Sequence, residues 1–264
     1  MNLLFTLNHS YLFAFETCLK SIVRFTPKEK YHIYVLHSDL TQEDQRCLHQ
    51  YFDYDVIFHF LWIDEKTFED FPESYRYPQA MYYRLLAAFL LPSHLEKILY
   101  LDPDTIVINP LDELYEMDFD DAYFIACTHV RKLLNKINEI RLGLDIKEEH
   151  PYINSGVILM NLKSLRIHQN IQEMKDYIQL HAHHLTLPDQ DILTALYGNK
   201  IKIVDYIKYN LSDRMLLFYN ASLKHHIDLK WIQEHTVIIH YCGKNKPWNE
   251  HYVGVLKRFY DDIK

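Results

Sequence analysis

Glycine is scarce, with five in 264 residues. A chain this poor in the residue most at ease with left-handed backbone builds few glycine-rich loops. Neither G-x-G-x-x-G nor a P-loop occurs, so any phosphate bound here must be held by side chains and metal. The four cysteines, Cys18, Cys47, Cys127 and Cys242, have no C-x-x-C spacing. That argues against a zinc ribbon and a disulfide framework and fits the reduced thiols of a cytosolic protein. Basic residues are outnumbered, 28 Lys and Arg against 36 Asp and Glu, for a net charge of −8. A general nucleic-acid binder would need the opposite balance. No apolar run is long enough to span a bilayer. The opening Met1-Asn-Leu-Leu-Phe-Thr-Leu-Asn-His9 lacks a basic region, and its apolar run is too short for a signal peptide. The expected location is the cytoplasm, with at most peripheral contact at the inner face of the membrane.

What the chain does contain is enough apolar material, 48% of residues, to bury a sizeable core as one α/β domain. Leu3 to Leu7 reads as a buried strand. Leu12, Phe15, Leu19 and Ile22 follow at helical spacing. Ile33 to Leu36 is a second strand, Thr41-Gln-Glu-Asp44 resembles a capping box, and Val56 to Ile63 is a third strand interrupted by His59. This alternation predicts right-handed βαβ units and a parallel sheet. Further on, helices are expected over about 81–91, 131–141, 164–184, 189–196 and 252–263, and strands over about 98–101, 122–127, 153–162 and 236–241. No linker separates two independent domains.

The most unusual chemistry lies at Lys97-Ile-Leu-Tyr-Leu-Asp-Pro-Asp-Thr-Ile-Val-Ile-Asn-Pro110. A short, wholly apolar strand stops at two carboxylates, and the end of such a strand is where open α/β sheets bind ligands. If the backbone stays extended, Asp102 and Asp104 leave on the same face, and Pro103 favours an extended predecessor. Two like charges so placed are tolerated either as a solvated Asp-Pro-Asp turn or around a hard divalent cation, Mg²⁺, Ca²⁺ or Mn²⁺.

Four segments occur in order: Tyr100-Leu-Asp-Pro-Asp104, Tyr152-Ile-Asn-Ser-Gly-Val-Ile-Leu-Met-Asn-Leu162, Pro188-Asp-Gln-Asp-Ile192 and His240-Tyr-Cys-Gly-Lys-Asn-Lys-Pro-Trp248. Together they resemble the family 8 glycosyltransferases, retaining enzymes that include bacterial lipooligosaccharide galactosyltransferases and glycogenin. The likeness spans Leu3 to Trp248. It implies a single GT-A-like domain with a Rossmann-like, mostly parallel twisted sheet flanked by helices. Residues 1–110 would be the nucleotide-binding half, 111–250 the donor-sugar and acceptor half, and 251–264 a small C-terminal helical part.

The implied activity is Mn²⁺-dependent transfer of a hexose, galactose or glucose, from a UDP-sugar to a hydroxyl of a glycan, lipid-linked or glycoprotein acceptor, with Mg²⁺ as the alternative metal. Asp102, Asp104 and His240 are the implied metal ligands, and adding an imidazole to two carboxylates shifts preference toward a borderline ion such as Mn²⁺. Lys246, or Lys244 beside it, would clamp the leaving phosphate, with Gly243 letting backbone approach it. Trp248 either covers the site or packs in the core. The resemblance places Arg84 at the nucleotide and Thr6, Asn8 and Tyr11 at the uridine, with Asn8 standing where the family often has Asp. A carboxamide, unlike a carboxylate, both accepts and donates. Pro103 completes the acidic turn. Asn154, Ser155, Asp189 and Gln190 would meet the donor sugar. Each has an ordinary reading too: Arg84 as a snorkelling helix arginine, Asn-Ser-Gly as a turn, Asp189 as a helix N-cap. Asp189 is a better nucleophile than Gln190, but front-face attack is favoured, with Asp189 on sugar hydroxyls and Gln190 near the anomeric carbon. His129 falls where acceptor contacts are made. The rival readings are a non-catalytic UDP-sugar-binding module, a self-glycosylating protein using one of its 21 tyrosines, and a nucleotide-sugar hydrolase.

Overall fold

Among the described residues nine strands organise the fold: β1 (Asn2–Thr6), β2 (Tyr31–His37), β3 (Val56–Trp62), β4 (Lys97–Leu101), β5 (Thr105–Val107), β6 (Phe124–Thr128), β7 (Ile153–Asn161), β8 (Ile201–Val204) and β9 (Ile238–His240). The computed structural model describes residues 1–28, 30–52, 56–64, 66, 71, 79–130, 132–144, 149–221 and 226–264, with the side chains of 132 and 133 set aside. Seven strands form one sheet in the order β3-β2-β1-β4-β7-β6-β8, and β5 pairs with β9 in a separate ribbon. The pairs β1–β2, β2–β3, β1–β4 and β6–β8 are parallel. β7 is antiparallel to both of its neighbours, β4 and β6. The mostly parallel α/β sheet is therefore as expected, with one strand reversed. That reversal brings the start of β7 to the edge where β1 and β4 end.

Strand periodicity sorts the core into two layers. Ile98 and Tyr100 of β4 join Tyr82, Ile158 and Met160 on one face. Leu99 and Leu101 join Phe5, Phe15 and Val157 on the other. Each such side chain, fully buried, contributes about 1.5–3 kcal/mol of transfer free energy. The helix Leu12–Phe25 lays Phe15, Leu19 and Ile22 on this second layer, with Leu12 half-buried. Thr41 caps the helix Gln42–Tyr51 in a capping box with Asp44. His59 does not break β3, because its ring stacks on Tyr34 with centroids 4.4 Å apart.

Several elements depart from the expectation. Residues 79–90 are helical, but Gln79–Leu86 winds as a 3₁₀ helix and only Ala87–Leu90 as α. Tyr82 to Leu86 are all buried in succession, which a one-striped amphipathic α-helix does not provide for. The span 164–184 divides into Leu162–His168 and Ile171–His181, because Asn170 Oδ1 caps the second helix by accepting from the amides of Gln172 and Glu173. The helix at 131–141 is seen over Lys132–Arg141, and position 131 lies outside the described residues. The C-terminal helix shrinks to Lys257–Asp261. Asp213 binds the Tyr252 hydroxyl and the amides of Val255 and Leu256, holding that stretch out of the helix. Val255 is consequently exposed, while Leu256 and Phe259 pack.

Candidate active site

The acidic segment leaves β4 as a turn rather than as extended strand. The Thr105 amide and hydroxyl both donate to the Asp102 carbonyl, at 3.1 and 2.8 Å. The Asp102 amide donates to the Gly156 carbonyl at 2.8 Å, which fastens the turn to the start of β7. The two acids thus share a side because the chain folds back, not because a strand alternates. The β5–β9 ribbon then supplies the third member. Thr105 pairs with His240 in its register, and the Tyr241 amide donates to the Asp104 carbonyl at 3.0 Å.

Ligand atoms of Asp102, Asp104 and His240 lie within 4.8 Å of one another. His240 Nε2 is 3.2 Å from Asp104 Oδ1 and 3.7 Å from Asp102 Oδ2. Asp104 Oδ1 is buried and makes no hydrogen bond. A buried carboxylate oxygen without a proton donor, facing an imidazole nitrogen and a second carboxylate, is the electron-pair arrangement a divalent cation satisfies. The residues present therefore fit a metal. Gly156 makes the convergence sterically feasible. A Cβ there would overlap His240 Cε1 and lie 2.8 Å from both Asp102 Oδ2 and His240 Nδ1.

Cations balance the acids. Arg84 is buried, with Nη1 2.9 Å from Asp102 Oδ1 and 3.5 Å from Asp189 Oδ2. It also donates to the carbonyls of Ser155 and Met81, both at 3.0 Å, and its guanidinium sits over the Tyr100 ring. This is not a snorkelling arginine. Burial opposes its charge, and Asp102, Tyr100 and Asp189 more than offset that, raising its pKa. The Tyr100 hydroxyl donates to Asp102 Oδ1 at 2.5 Å and shares a hydrogen bond with Thr6. Lys246 is ion-paired with Asp104 and donates to the Tyr241 carbonyl. Burial alone would lower the Lys246 pKa, but Asp104 beside it raises it. The Asp104 carboxyl is disfavoured as a charge by burial, yet His240 and Lys246 hold it well below the usual carboxylate range.

Asp189 is not the N-cap of its helix. Leu187 is, Pro188 takes the first helical position, and Asp189 lies in the first turn. Its carboxylate accepts the Ser155 hydroxyl at 2.6 Å, and burial pushes its pKa up against the pull of Arg84. The neighbouring Asp191 anchors the helix start, bound by Arg141, the Tyr152 hydroxyl and the amides of Thr186 and Leu187. Gln190 and Asn154 face a cleft of about 660 Å³ that His129, His240, Gly243 and Lys244 also line.

Arg84, Asp102, Pro103, Asp104, Ser155, Asp189, His240 and Lys246 thus gather around one centre. Thr6 joins it through Tyr100. Asn8 and Tyr11 lie beyond the end of β1, with Asn8 Oδ1 accepting from Ser10. Lys246 Nζ is 6.0 Å from the Tyr11 ring and 5.7 Å from that of Trp248. Trp248 is half-buried, edge-on to Phe13 and packed against a core cluster beside Tyr260. Gly243 has φ +87° and open space around it. Lys244 is exposed. Three residues of the centre are absent from the sequence-based set: Gly156, Tyr100 and Asn210, the last bridging His240 and Asn154. Gly156 and Tyr100 lie within the quoted segments, Gly156 as a rare glycine inside an otherwise apolar strand, whereas Asn210 lies outside them all.

A mostly parallel α/β sheet with an acid pair at the end of a central strand, joined by a histidine from a separate ribbon, defines a glycosyltransferase of GT-A fold. The chain belongs to glycosyltransferase family 8, whose family model matches residues 2–252. Among its relatives is a lipopolysaccharide 1,2-glucosyltransferase of Escherichia coli, 26% identical over 94% of this chain and 73% of the relative. A lipopolysaccharide 1,3-galactosyltransferase of Salmonella typhimurium is 24% identical over 94% and 73%. The structure of the galactosyltransferase LgtC, solved with donor and acceptor sugar analogues, superposes with a TM-score of 0.82 at 22% identity over 100% of this chain and 95% of that one, a likeness of fold.

Proposed function

We propose that this protein is a metal-dependent, retaining hexosyltransferase that moves galactose or glucose from a UDP-sugar to a hydroxyl of a glycan, lipid-linked or glycoprotein acceptor. The observation that carries the reading is the meeting of Asp102, Asp104 and His240 around the hydrogen-bond-free Asp104 Oδ1. The imidazole favours Mn²⁺ over Mg²⁺ in this donor set. The glucosyl- and galactosyltransferase names of the relatives support the choice of sugar.

In this reading a bound divalent cation supplies Lewis-acid stabilisation to the donor diphosphate. Lys246 adds a fixed ammonium at the same place, where negative charge grows as the glycosidic bond breaks. Thr6, Asn8 and Tyr11 hold the uridine at the end of β1, and Gly243 leaves room for the phosphates. Arg84 holds Asp102 and Asp189 in one arrangement, so the metal side and the sugar side cannot move independently. Asp189 and Asn154 bind sugar hydroxyls, and Gln190 faces the anomeric carbon. The cleft is of a size that encloses small-molecule ligands. Acceptor attack comes from the face the diphosphate leaves.

The test combines purified protein with UDP-glucose or UDP-galactose, Mn²⁺, Mg²⁺ or chelator, and a panel of saccharide acceptors. UDP release that needs metal and acceptor, with the donor's anomeric configuration kept in the product, is the expected result. UDP bound tightly but never released would replace the proposal with a binding module. Added hexose mass on the chain itself would mean self-glycosylation, and free sugar alone a hydrolase.

A further inference from the structure

Asn210 follows the short helix Tyr206–Tyr209, is completely buried, and belongs to none of the four segments that carry the family likeness. Its side chain touches both halves of the site. Oδ1 is 2.9 Å from His240 Nδ1, and Nδ2 is 2.9 Å from Asn154 Oδ1. Its main-chain carbonyl accepts from His129 Nε2 at 2.7 Å, and its amide donates to the Tyr206 carbonyl. The residue is therefore held by its own backbone before its side chain does anything.

The direction of every proton in this chain of contacts follows from one unambiguous donor. The Gly156 amide donates to Asn154 Oδ1 at 3.2 Å, so that oxygen is the one turned inward. The partner it receives from Asn210 must then be the NH₂ group, which leaves Asn210 Oδ1 facing His240. A carboxamide oxygen only accepts, so Nδ1 of His240 carries a proton, and the neutral ring then has its lone pair at Nε2, free for a metal. Nε2 is the atom directed at Asp104 and Asp102.

We infer that Asn210 is a positioning residue that fixes the tautomer and orientation of His240 for metal coordination, and that through the same amide it aligns Asn154 on the donor-sugar side. An outer partner that holds a metal-bound imidazole by its second nitrogen sets ligand geometry in this way, and losing it lowers metal affinity about 10–100-fold. The inference rests on the metal-dependent reading above. It adds a physical link by which the metal side and the sugar-side asparagine share one amide.

The experiment measures Mn²⁺ binding to the nucleotide-free protein by loss of the free-ion electron paramagnetic resonance signal, and UDP-glucose and UDP-galactose binding with Mn²⁺ saturating. Asn210→Leu has similar volume and neither hydrogen bond. Asn210→Asp keeps an oxygen for the His240 Nδ1 proton but sets an oxygen against Asn154. The expected results are a 10–100-fold loss of Mn²⁺ affinity in N210L, parental Mn²⁺ affinity in N210D, and weakened sugar-nucleotide binding in both. A folded N210L with parental Mn²⁺ affinity overturns the inference. So does an N210D that loses Mn²⁺ as N210L does, and this arm decides alone if N210L does not fold. Absence of Mn²⁺ binding by the parent protein would instead count against the metal-dependent reading itself.

Discussion

Gly156 lies directly against His240, so closely that a single added methyl would overlap the imidazole Cε1 and crowd Asp102. The ring cannot give way cheaply, since His240 is buried and held by Asn210 on its other nitrogen. Gly156→Ala is therefore expected to push the imidazole out of line and lower metal affinity about 10–100-fold. The β7 hydrogen bonds stay intact, so the fold survives. Isothermal titration with Mn²⁺, set beside the melting temperature of the metal-free protein, separates the two effects. Parental affinity in the variant would show that the ring relaxes freely.

Arg84 neutralises two acids from different parts of the chain, Asp102 and Asp189, inside the protein. Removing it leaves the buried Asp189 and the half-buried Asp102 with hydroxyl partners but without their counter-charge, a change that costs up to about 3–5 kcal/mol in fully buried pairs. Arg84→Met is expected to destabilise the protein on that scale in urea unfolding, and adding Asp189→Asn is expected to recover part of the loss. Full additivity of the two substitutions would mean that the pair does not interact.

Much of this arrangement was legible because it is local. The strand running into Asp102 and Asp104, the Thr41 cap and the helix expected over 189–196 all announce themselves within a few residues. The likeness of four ordered segments then joined His240 to the acids across more than a hundred positions. The direction of β7 and the existence of the β5–β9 ribbon were not legible. An apolar run reads the same whichever way its neighbours point, and the three residues Thr105–Val107 are too few to carry a periodicity. Asn210 stayed hidden for a related reason: a buried asparagine is chosen by the partners it meets in space, and the partners come from β7 and β9.

His129 gives the protein an acid-sensitive element. Burial, with His240 nearby, pulls its imidazole down from 6.5 to about 3, and Nε2 donates to the Asn210 carbonyl. Above pH 6.5 the folded and unfolded states both hold it neutral, so it adds no pH dependence. Below that, the unfolded chain takes up a proton that the folded one refuses, and stability falls steadily as pH drops toward 3. His129→Gln keeps a donor for the carbonyl and removes the titration. Urea unfolding at intervals between pH 7.5 and pH 4 is expected to show a shallower loss in the variant than in the parent, and parallel curves would exclude His129 as the cause.

Asp189 is the carboxylate that the proposed reaction would use if it ran through a covalent intermediate. Its surroundings argue against that role. The Ser155 hydroxyl and Arg84 occupy its Oδ2 side, it is almost fully buried, and burial raises its pKa. A group so held orients a substrate better than it attacks one, because attack requires a free, ionised oxygen able to move onto the anomeric carbon. Asp189→Asn keeps an oxygen for Ser155 and removes only the charge. The expected outcome is a fall in kcat of about 10–100-fold from lost orientation, with the product keeping the donor's anomeric configuration and no hexose mass trapped on the chain. Loss of all transfer in D189N, together with a hexosyl adduct on Asp189 of the parent protein detected by mass spectrometry with a slow fluorinated donor, would establish the covalent route instead.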